Sequence, residues 1–449
     1  MPLALFEALL TPEGAELLEA AGAALAEGAE LAVGARLRAR GHHPDLVAAA
    51  FAQAELRRWA AAKFSHPERM FFTRAGLEQA SSERTAHHRA RRFAGLGRLA
   101  DLCTGIGGDL AALAAGHPVL AVDRDPLHLR MAVHNAAAAA AVGAIADGVE
   151  VEPWLGDVRD APLAGLDGAF IDPARRADPA GRSGGGRPGG RLPTGASEPP
   201  LSWCFGLAEV VEAVAVKAAP GLPTELVPPG WEIEFVADRR NLKEAVLFSP
   251  ALAGAPRRAT VLLGPETGLG AAARGSGGEQ AATLAGDPDP GSDAWSSGAS
   301  GRSPGSGSGA AGALPVGRVG AYLYDPNPAV TRAGLVGTLG RELDAWQIDP
   351  HIAFLSADRL CDTPFARVLR VEAELPFDVR RVAAAVRALG VSAVDVRRRG
   401  LAGDVEAIRR RLLPARRDLV ADGPAVTVVM TRLAGRPWAI LCTDAPPAH

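Results

Sequence analysis

An acid, a glycine-rich turn and a second acid follow one another at a spacing that could bind a nucleotide-like ligand. The stretch LADLCTGIGGDLAALAAGHPVLAVDRDP places Asp101 at the end of an apolar run, Gly105 and Gly107 in the turn that follows, and Asp123 at the end of the next apolar run. Glycines before a helix let the backbone approach a ligand closely, and an acid after the second strand is placed to bind ribose hydroxyls. The pattern therefore predicts a nucleotide-like site between residues 101 and 123.

Two common nucleotide motifs do not fit this turn. A dinucleotide-binding fold asks for a third Gly or Ala where the chain has Leu110, and it does not need an acid such as Asp101 before the turn. A P-loop requires a Lys followed by Ser or Thr, and the turn offers no such pair. The spacing therefore excludes a P-loop and argues against a dinucleotide fold.

An alternating α/β structure must position these residues. From residue 98 onward, short apolar runs alternate with stretches of helical spacing, which predicts a doubly wound sheet of Rossmann-like topology. Residues 1–95 are rich in Ala, Leu, Glu and Arg at helical spacing, which predicts a helical N-terminal domain. Segments 177–200 and 264–316 are rich in Gly, Ser and Pro, and we expect disordered insertions there because they cannot bury enough apolar surface.

Compact patterns resume in the last third of the chain. Residues 317–365 combine two strand patterns with one helical stretch, PAVTRAGLVGTLGREL, which predicts a small α+β unit. Residues 366–443 show the pattern order β-α-β-α-β-β, and the last two strands have the form of a hairpin. The sequence therefore predicts small α+β domains after the main sheet.

The acid, three residues and Gly-x-Gly at Asp101, Gly105 and Gly107 resemble the first motif of class I methyltransferases that use S-adenosylmethionine (SAM). This resemblance implies that Asp101 lies near the methionine amino group, that the turn wraps methionine and ribose, and that Asp123 holds the ribose hydroxyls. In WLGDVRD, Asp157 takes the place of the acid that contacts the adenine amine. The residues that the resemblance assigns to SAM are Asp101, Cys103, Thr104, Gly105, Gly107, Asp123, Arg124 and Asp157.

The segment FIDPARR ends another apolar run in Asp172 and Pro173. Amine-modifying members of the class carry Asp or Asn, two prolines and an aromatic residue here, so the resemblance implies that Asp172 and Pro173 form the catalytic motif. A carboxylate there would accept a hydrogen bond from the substrate N–H and orient the nitrogen lone pair towards the methyl carbon. Ala174 and Arg175 replace the second proline and the aromatic residue, and the alternative is that Asp172 only caps the turn.

Arginines flank this motif and dominate the C-terminal part. The two arginines of FIDPARR could bind a phosphate beside the target base or pair with nearby acids. Residues 366–449 contain 15 Arg, no Lys and 9 acids, a net charge of +6 that leaves −9 for the rest of the chain. An arginine triplet there could bind backbone phosphates, or could be a solvated surface of an Arg-rich chain. The candidate substrate-binding residues are Arg175, Arg176, Arg397, Arg398 and Arg399.

Six further segments carry a closer resemblance: FFTRAGLEQASSERTAHHRARRFAGLGRLADLCTGIGGD, FIDPARR, VKAAPGLP, DPNPAVTRAGLVGTLG, TPFARVLRV and RRRGLAGDVEAIRRRLLP. They resemble a bacterial family of methyltransferases with a ferredoxin-like domain and a C-terminal domain likened to THUMP, an RNA-binding module of tRNA-modifying enzymes. The resemblance implies a helical domain at 1–95, a methyltransferase domain at 96–263 with the insertion at 177–200, a linker at 264–316, a ferredoxin-like domain at 317–365 and a THUMP-like domain at 366–443.

The sequence therefore predicts a SAM-dependent methyltransferase that modifies a base nitrogen of structured RNA, either tRNA or rRNA. The alternatives are a methyltransferase that acts on a protein or a small molecule, and a SAM- or RNA-binding protein without turnover. The four cysteines are widely separated, and no apolar stretch reaches about 18 residues without a break. We expect a cytoplasmic protein with neither a metal nor a membrane partner, and no oligomeric state follows from the pattern.

Overall fold

The computed structural model describes residues 1–146, 148–174, 196–264, 280–290, 292, 314–401, 403–413 and 419–445. The chain forms two compact units: the first contains residues 1–218, 228–231 and 247–253, and the second contains residues 219–227, 232–246 and 254–449. Within the described ranges, every helix is too short or too polar to cross a bilayer, and no group of three or more His, Cys, Asp or Glu side chains is arranged to hold a metal ion.

Helices build the N-terminal part of the first unit. Thr11 starts the second of these helices by accepting a hydrogen bond from the Gly14 N–H, and Gly28 ends it with φ +68°, a conformation that suits glycine. Phe6, Leu17 and Phe72 are almost completely buried in the core between these helices. The helices are α1 (Leu3–Leu9), α2 (Pro12–Glu27), α3 (Glu30–Ala39), α4 (Pro44–Ala60), α5 (Arg74–Gln79) and α6 (Glu83–Ala90).

A parallel sheet forms the rest of the first unit. Its strands are β1 (Leu99–Leu102), β2 (Val119–Asp123), β3 (Val151–Leu155), β4 (Gly168–Ile171) and β5 (Ala213–Ala218), and they lie in the order β3-β2-β1-β4-β5. The chain runs outward from β1 to β3 and then continues on the other side of β1 with β4 and β5. This change of direction is where doubly wound sheets bind ligands, at the carboxyl ends of the strands.

Three helices connect these strands, at Leu110–Ala114 (α7), Pro126–Ala140 (α8) and Leu201–Gly206 (α9). Helix α8 starts at Asp125, whose carboxylate accepts hydrogen bonds from the Leu127 and His128 N–H groups. Proline at the first position of α8 has the φ angle that a helix requires there. The start of α8 is therefore fixed directly after β2, where the predicted ribose-binding acid lies.

The second unit begins with four further strands, β6 (Glu232–Asp238), β7 (Asn241–Phe248), β8 (Arg257–Leu263) and β9 (Gln280–Gly286); the last two residues of β7 belong to the first unit. Strand β8 pairs in parallel with β6 and antiparallel with β9. Strand β9 lies inside the segment 264–316, for which the sequence predicted a disordered linker. The difference has a physical cause: the edge of β8 supplies backbone hydrogen bonds to a segment whose composition carries no strand pattern of its own.

A second sheet follows in the last part of the chain. Its first part contains β10 (Tyr322–Pro326), α10 (Pro328–Ala333), α11 (Val336–Glu342), β11 (Trp346–Gln347) and β12 (Leu355–Ala357). The sequence predicted one helix over PAVTRAGLVGTLGREL, whereas the structure has two, because Gly334 with φ +71° ends α10.

The last part of the chain has the predicted order β-α-β-α-β-β. Its elements are β13 (Ala366–Pro376), α12 (Val379–Ala388), β14 (Ala393–Arg398), α13 (Val405–Leu412), β15 (Ala425–Leu433) and β16 (Arg436–Asp444), and β15 and β16 form the predicted hairpin. The strands of the second sheet lie in the order β11-β12-β10-β13-β16-β15-β14, so β13 pairs with β10 as well as β16. The segments predicted as ferredoxin-like and THUMP-like therefore share one continuous sheet.

Candidate active site

Asp101 is almost completely buried within β1, with 1% of its surface exposed. The Thr104 hydroxyl donates to Asp101 Oδ2 at 2.5 Å. Burial, reinforced by the neighbouring Asp109 carboxylate, raises the pKa of Asp101 to about 8. The Asp101 carboxyl therefore holds a proton at neutral pH unless a cation comes to lie beside it.

The turn after β1 has the left-handed backbone that its glycines allow. Gly105 has φ +56° and Gly107 has φ +83°, and Cys103 adopts φ +61° although it is not a glycine. A Cβ atom at Gly107 would lie 2.9 Å from the Cα of Ala132 in α8, whereas one at Gly105 would meet no atom within 4 Å. Gly107 thus permits close packing on α8, and Gly105 leaves open space beside the turn.

Asp123 connects the end of β2 to this turn. Its Oδ2 accepts a hydrogen bond from the Gly105 N–H at 2.8 Å, and its Oδ1 accepts one from the Asp125 N–H at 2.9 Å. Burial raises the pKa of Asp123, although these two hydrogen bonds act in the opposite direction. A carboxylate oxygen can accept more than one hydrogen bond, so Asp123 can hold the turn and still accept bonds from a ligand.

The acid after β3 lies on a more exposed edge of the site. Asp157 starts a short helical turn by accepting a hydrogen bond from the Arg159 N–H at 3.0 Å, and it forms an ion pair with the Arg159 guanidinium at 3.1 Å. Arg159 also forms an ion pair with Glu198 at 2.5 Å. Glu198 in turn exchanges two backbone hydrogen bonds with Ala174, the third residue after β4.

Asp172 follows β4, and its backbone N–H donates to the Leu102 carbonyl at 3.2 Å. Its Oδ2 accepts a hydrogen bond from Lys217 Nζ at 2.6 Å, and this lysine lies in β5 with 4% of its side chain exposed. The cation beside the Asp172 carboxylate is therefore Lys217. The neighbouring Arg175 and Arg176 lie outside the described residues.

A cavity of about 670 Å³ lies at the carboxyl ends of β1 to β4, a size within the range of small-molecule sites. All the predicted cofactor and catalytic residues line it, except Gly107, which packs on α8. Two arginines, Arg124 and Arg159, also line the cavity. The acidic residues of the lining outnumber them and are Glu78, Asp101, Asp109, Asp123, Asp125, Asp157, Asp172 and Glu198.

Comparison with known sequences identifies the family of this chain. Two curated relatives from Mycobacterium tuberculosis, strains CDC 1551 and H37Rv, are each 35% identical over 352 residues, which is 76% of this chain and 80% of each relative. Both are named uncharacterized S-adenosylmethionine-dependent methyltransferases. This chain belongs to the SAM-dependent methyltransferases. The cofactor of the methyltransferase is therefore SAM, as the glycine motif predicted.

Two family models and one solved structure extend this result. A model described as THUMP domain-like matches residues 366–444, and one for a domain of unknown function (DUF8688) matches residues 2–60. The crystal structure of a candidate methyltransferase from Porphyromonas gingivalis W83 is 19% identical with a TM-score of 0.66, and the match covers 90% of this chain and 92% of that one. This similarity confirms the predicted Rossmann-like class I fold, and the structural match extends beyond that fold over nearly the whole chain.

The residues of the cavity suit SAM. Gly105 leaves the space that a bound ligand requires beside the turn, and a side chain there would fill it. SAM carries an ammonium and a sulfonium group, so a lining with more carboxylates than guanidinium groups complements its charge. Burial raises the pKa of the Cys103 thiol well above its usual range, so this residue lines the site as a neutral group and not as a nucleophile.

The described arginines that were predicted to bind substrate, Arg397 to Arg399, do not share one surface. Alternation along β14 places Arg397 and Arg398 on opposite faces, and the Arg398 guanidinium donates to the Gly403 carbonyl. Arg399 forms an ion pair with the largely buried Asp325 at 2.9 Å, and Asp325 also pairs with Arg240 at 2.8 Å. The Arg397 side chain is more exposed than that of Arg399, at 52% against 28%.

Two residues that the sequence analysis did not propose take part in the site. Lys217 contacts the predicted catalytic carboxylate, and Asn135 of α8 donates to the Phe71 and Ile106 carbonyls at 3.0 and 2.8 Å. Asn135 thereby ties the glycine turn to the N-terminal helices. A compositional signal was present for Lys217, because only three of the 48 Lys and Arg residues are lysines. No signal in the sequence marks Asn135, because its partners are backbone atoms.

Proposed function

We propose that the methyltransferase transfers a methyl group to a base nitrogen of structured RNA, either tRNA or rRNA. The observation that carries this proposal is the placement of Asp101, Asp123, Asp157 and Asp172 after or at the ends of four adjacent strands, around one cavity. Asp101, Asp123 and Asp157 suit the charged and polar groups of SAM. Asp172 is then free to act on the methyl acceptor.

In this proposal, each group of SAM meets a group of matching chemistry. Asp101 pairs with the methionine ammonium group, and Cys103, Thr104, Gly105 and Gly107 form the turn around methionine and ribose. The remaining contacts come from the next two strands: Asp123 accepts hydrogen bonds from the ribose hydroxyls, Arg124 lies beside it, and Asp157 accepts a hydrogen bond from the adenine amine.

Asp172 and Pro173 hold the acceptor. Bound SAM supplies the methyl group, whose C–S bond breaks with its electron pair remaining on sulfur while the acceptor nitrogen forms the new C–N bond and gives up its proton to water. The Asp172 carboxylate accepts a hydrogen bond from the acceptor N–H and orients the lone pair along the line of transfer. Pro173 limits the backbone freedom of the segment that carries this carboxylate.

RNA as the acceptor is supported by the C-terminal part of the chain. Residues 366–444 match the THUMP domain-like model, and the sequence resemblance likens this domain to THUMP, an RNA-binding module of tRNA-modifying enzymes. The same part of the chain has a net charge of +6, which favours contact with phosphates. The exposed Arg397 suits such a contact, and Arg175, Arg176, Arg398 and Arg399 complete the predicted set.

A different acceptor, an amine of a protein or a small molecule, is favoured by one feature of the cavity. Its described lining contains eight acidic residues and no Phe, Tyr or Trp, whereas a flipped base is usually held by stacking on an aromatic side chain. An acidic wall attracts a cationic amine more strongly than it attracts a polyanion. A transfer experiment separates the two acceptors.

The experiment offers methyl-labelled SAM and the purified protein to separated tRNA, rRNA, protein and metabolite fractions from cells that lack the gene. The proposal predicts label in one RNA fraction with the wild-type protein and only slow residual labelling with Asp172→Asn, provided that calorimetry shows normal SAM binding by the variant. Label only in protein or metabolites would refute the RNA acceptor and support the amine acceptor.

A further inference from the structure

Lys217 is a buried lysine with two defined partners. Its Nζ lies 2.6 Å from Asp172 Oδ2 and 2.9 Å from Ser81 Oγ, and 4% of its side chain is exposed. Burial of an ammonium group costs several kcal/mol unless charged and polar partners compensate. Only three of the 48 Lys and Arg residues are lysines, and the compact ammonium group of Lys217 contacts the Asp172 and Ser81 oxygens at the same time.

Ser81 extends this contact to the N-terminal helices. Its hydroxyl donates to Asp109 Oδ2 at 2.9 Å and accepts hydrogen bonds from Lys217 and from Arg89 Nη2 at 2.7 Å. One hydroxyl has one proton and two lone pairs, so these three bonds use its full capacity. Arg89, itself 1% exposed, also forms an ion pair with Asp109. The Ser81 oxygen is therefore fixed in position, and so is the ammonium group that it meets.

The two oxygens of Asp172 have different surroundings. Oδ2 is held by Lys217, whereas Oδ1 has no hydrogen-bond partner among the described residues, and Asp172 lines the cavity with 26% of its side chain exposed. A carboxylate held through one oxygen presents the other in a fixed direction. The free oxygen is the one that could accept a hydrogen bond from an acceptor.

We propose that Lys217 and Ser81 are positioning residues that direct Asp172 Oδ1 towards the methyl acceptor. This inference rests on the proposed function, because it requires Asp172 to contact the acceptor. The connection between α5 and α6 thereby controls the geometry of methyl transfer from outside the SAM-binding sheet. Neither Lys217 nor Ser81 contacts SAM or the acceptor in this arrangement.

The first test measures kcat and KM with labelled SAM and unfractionated RNA from cells that lack the gene. Lys217→Met should lower kcat about 100-fold, the cost of misplacing a reacting group by about 1 Å, while the Kd for SAM changes little. In the Asp172→Asn background the same substitution should have no further effect on kcat. Lys243→Met, at an exposed position of β7, is the matched control and should leave kcat unchanged. Equal losses from Lys217→Met in both backgrounds would overturn the proposal.

The second test needs no acceptor, because the chain has only three lysines. In protein labelled with ¹⁵N at lysine Nζ, Asp172→Asn should shift the Lys217 ammonium signal. The Lys63 signal should stay in place, because Lys63 donates to the Leu77, Glu78 and Ala80 carbonyls. An unchanged Lys217 signal overturns the proposal even if RNA is methylated. If the Lys217 signal shifts but no fraction receives a methyl group, the proposed function is wrong although the contact between Lys217 and Asp172 is present.

Discussion

SAM binding should strengthen as the pH rises from about 6 to about 7, because Asp101 must lose a proton to pair with the SAM ammonium group. Burial raises the pKa of Asp101 to about 8, so the carboxyl is mostly protonated in this range before SAM binds. The ionised fraction is about one hundredth two pH units below the pKa and about one tenth one unit below it. The affinity for SAM should therefore rise about tenfold per pH unit, or about 1.4 kcal/mol.

Isothermal titration calorimetry can measure both the affinity and the proton that is released. At about pH 6 and about pH 7 the α-amino group of SAM stays mostly protonated, so a change in affinity between these titrations reports on a group of the protein. Repeating them in two buffers of different ionisation enthalpy should show nearly one proton released for each SAM bound. The effect should level off above about pH 8, where Asp101 is already ionised.

The control variants assign the proton to one residue. Asp101→Asn should bind SAM more weakly. The slope of its log affinity for SAM against pH should be lower than that of the wild type by about one log unit per pH unit. Asp157→Asn, which leaves Asp101 and its surroundings unchanged, should keep the wild-type slope. A wild-type affinity that does not change between these pH values, or a slope that persists in Asp101→Asn, would refute the assignment of Asp101 to the ammonium group.

Three further predictions concern packing and RNA contact. Gly107→Ala should lower the free energy of unfolding in urea by about 2 kcal/mol, because φ is +83° and a Cβ would crowd Ala132; a change below the error of the measurement would contradict this. Asn135→Ala should cost about 2 kcal/mol in the same assay, because buried backbone groups lose their partner, and a neutral result would contradict the hydrogen bonds at Asn135. Arg397→Gln should weaken RNA binding and lower the slope of log affinity against log salt concentration by about one, whereas Arg399→Gln should chiefly lower the free energy of unfolding. Equal effects of the two substitutions on RNA affinity would contradict the different roles of Arg397 and Arg399.

The sequence predicted the sheet, and it predicted SAM-binding residues that, apart from Gly107, line one cavity, because both depend on local patterns. Apolar runs that end in an acid mark β1, β2 and β4, and the glycine spacing marks the turn between β1 and α7. The left-handed φ angles at Gly105 and Gly107 are the physical reason why that spacing is informative. These features need no knowledge of distant contacts.

The features that the sequence did not predict depend on contacts between distant segments. Lys217 and Ser81 are 136 residues apart, so no local pattern connects them. Residues 280–286 form strand β9 because they pair with the edge of β8, and Arg399 forms an ion pair with Asp325, which is 74 residues away in the sequence. Alternation along a strand could have indicated that Arg397 and Arg398 face opposite ways, once the strand itself was assigned.

The most direct test of the central claim compares modified nucleosides from tRNA and rRNA by mass spectrometry. The RNA comes from cells that lack the gene and from the same cells supplied with either the wild-type gene or Asp172→Asn. The account predicts one methylated nucleoside that is absent without the gene, restored by the wild-type protein and not restored by Asp172→Asn. Identical nucleoside profiles in all three strains would contradict the claim that this methyltransferase acts on RNA.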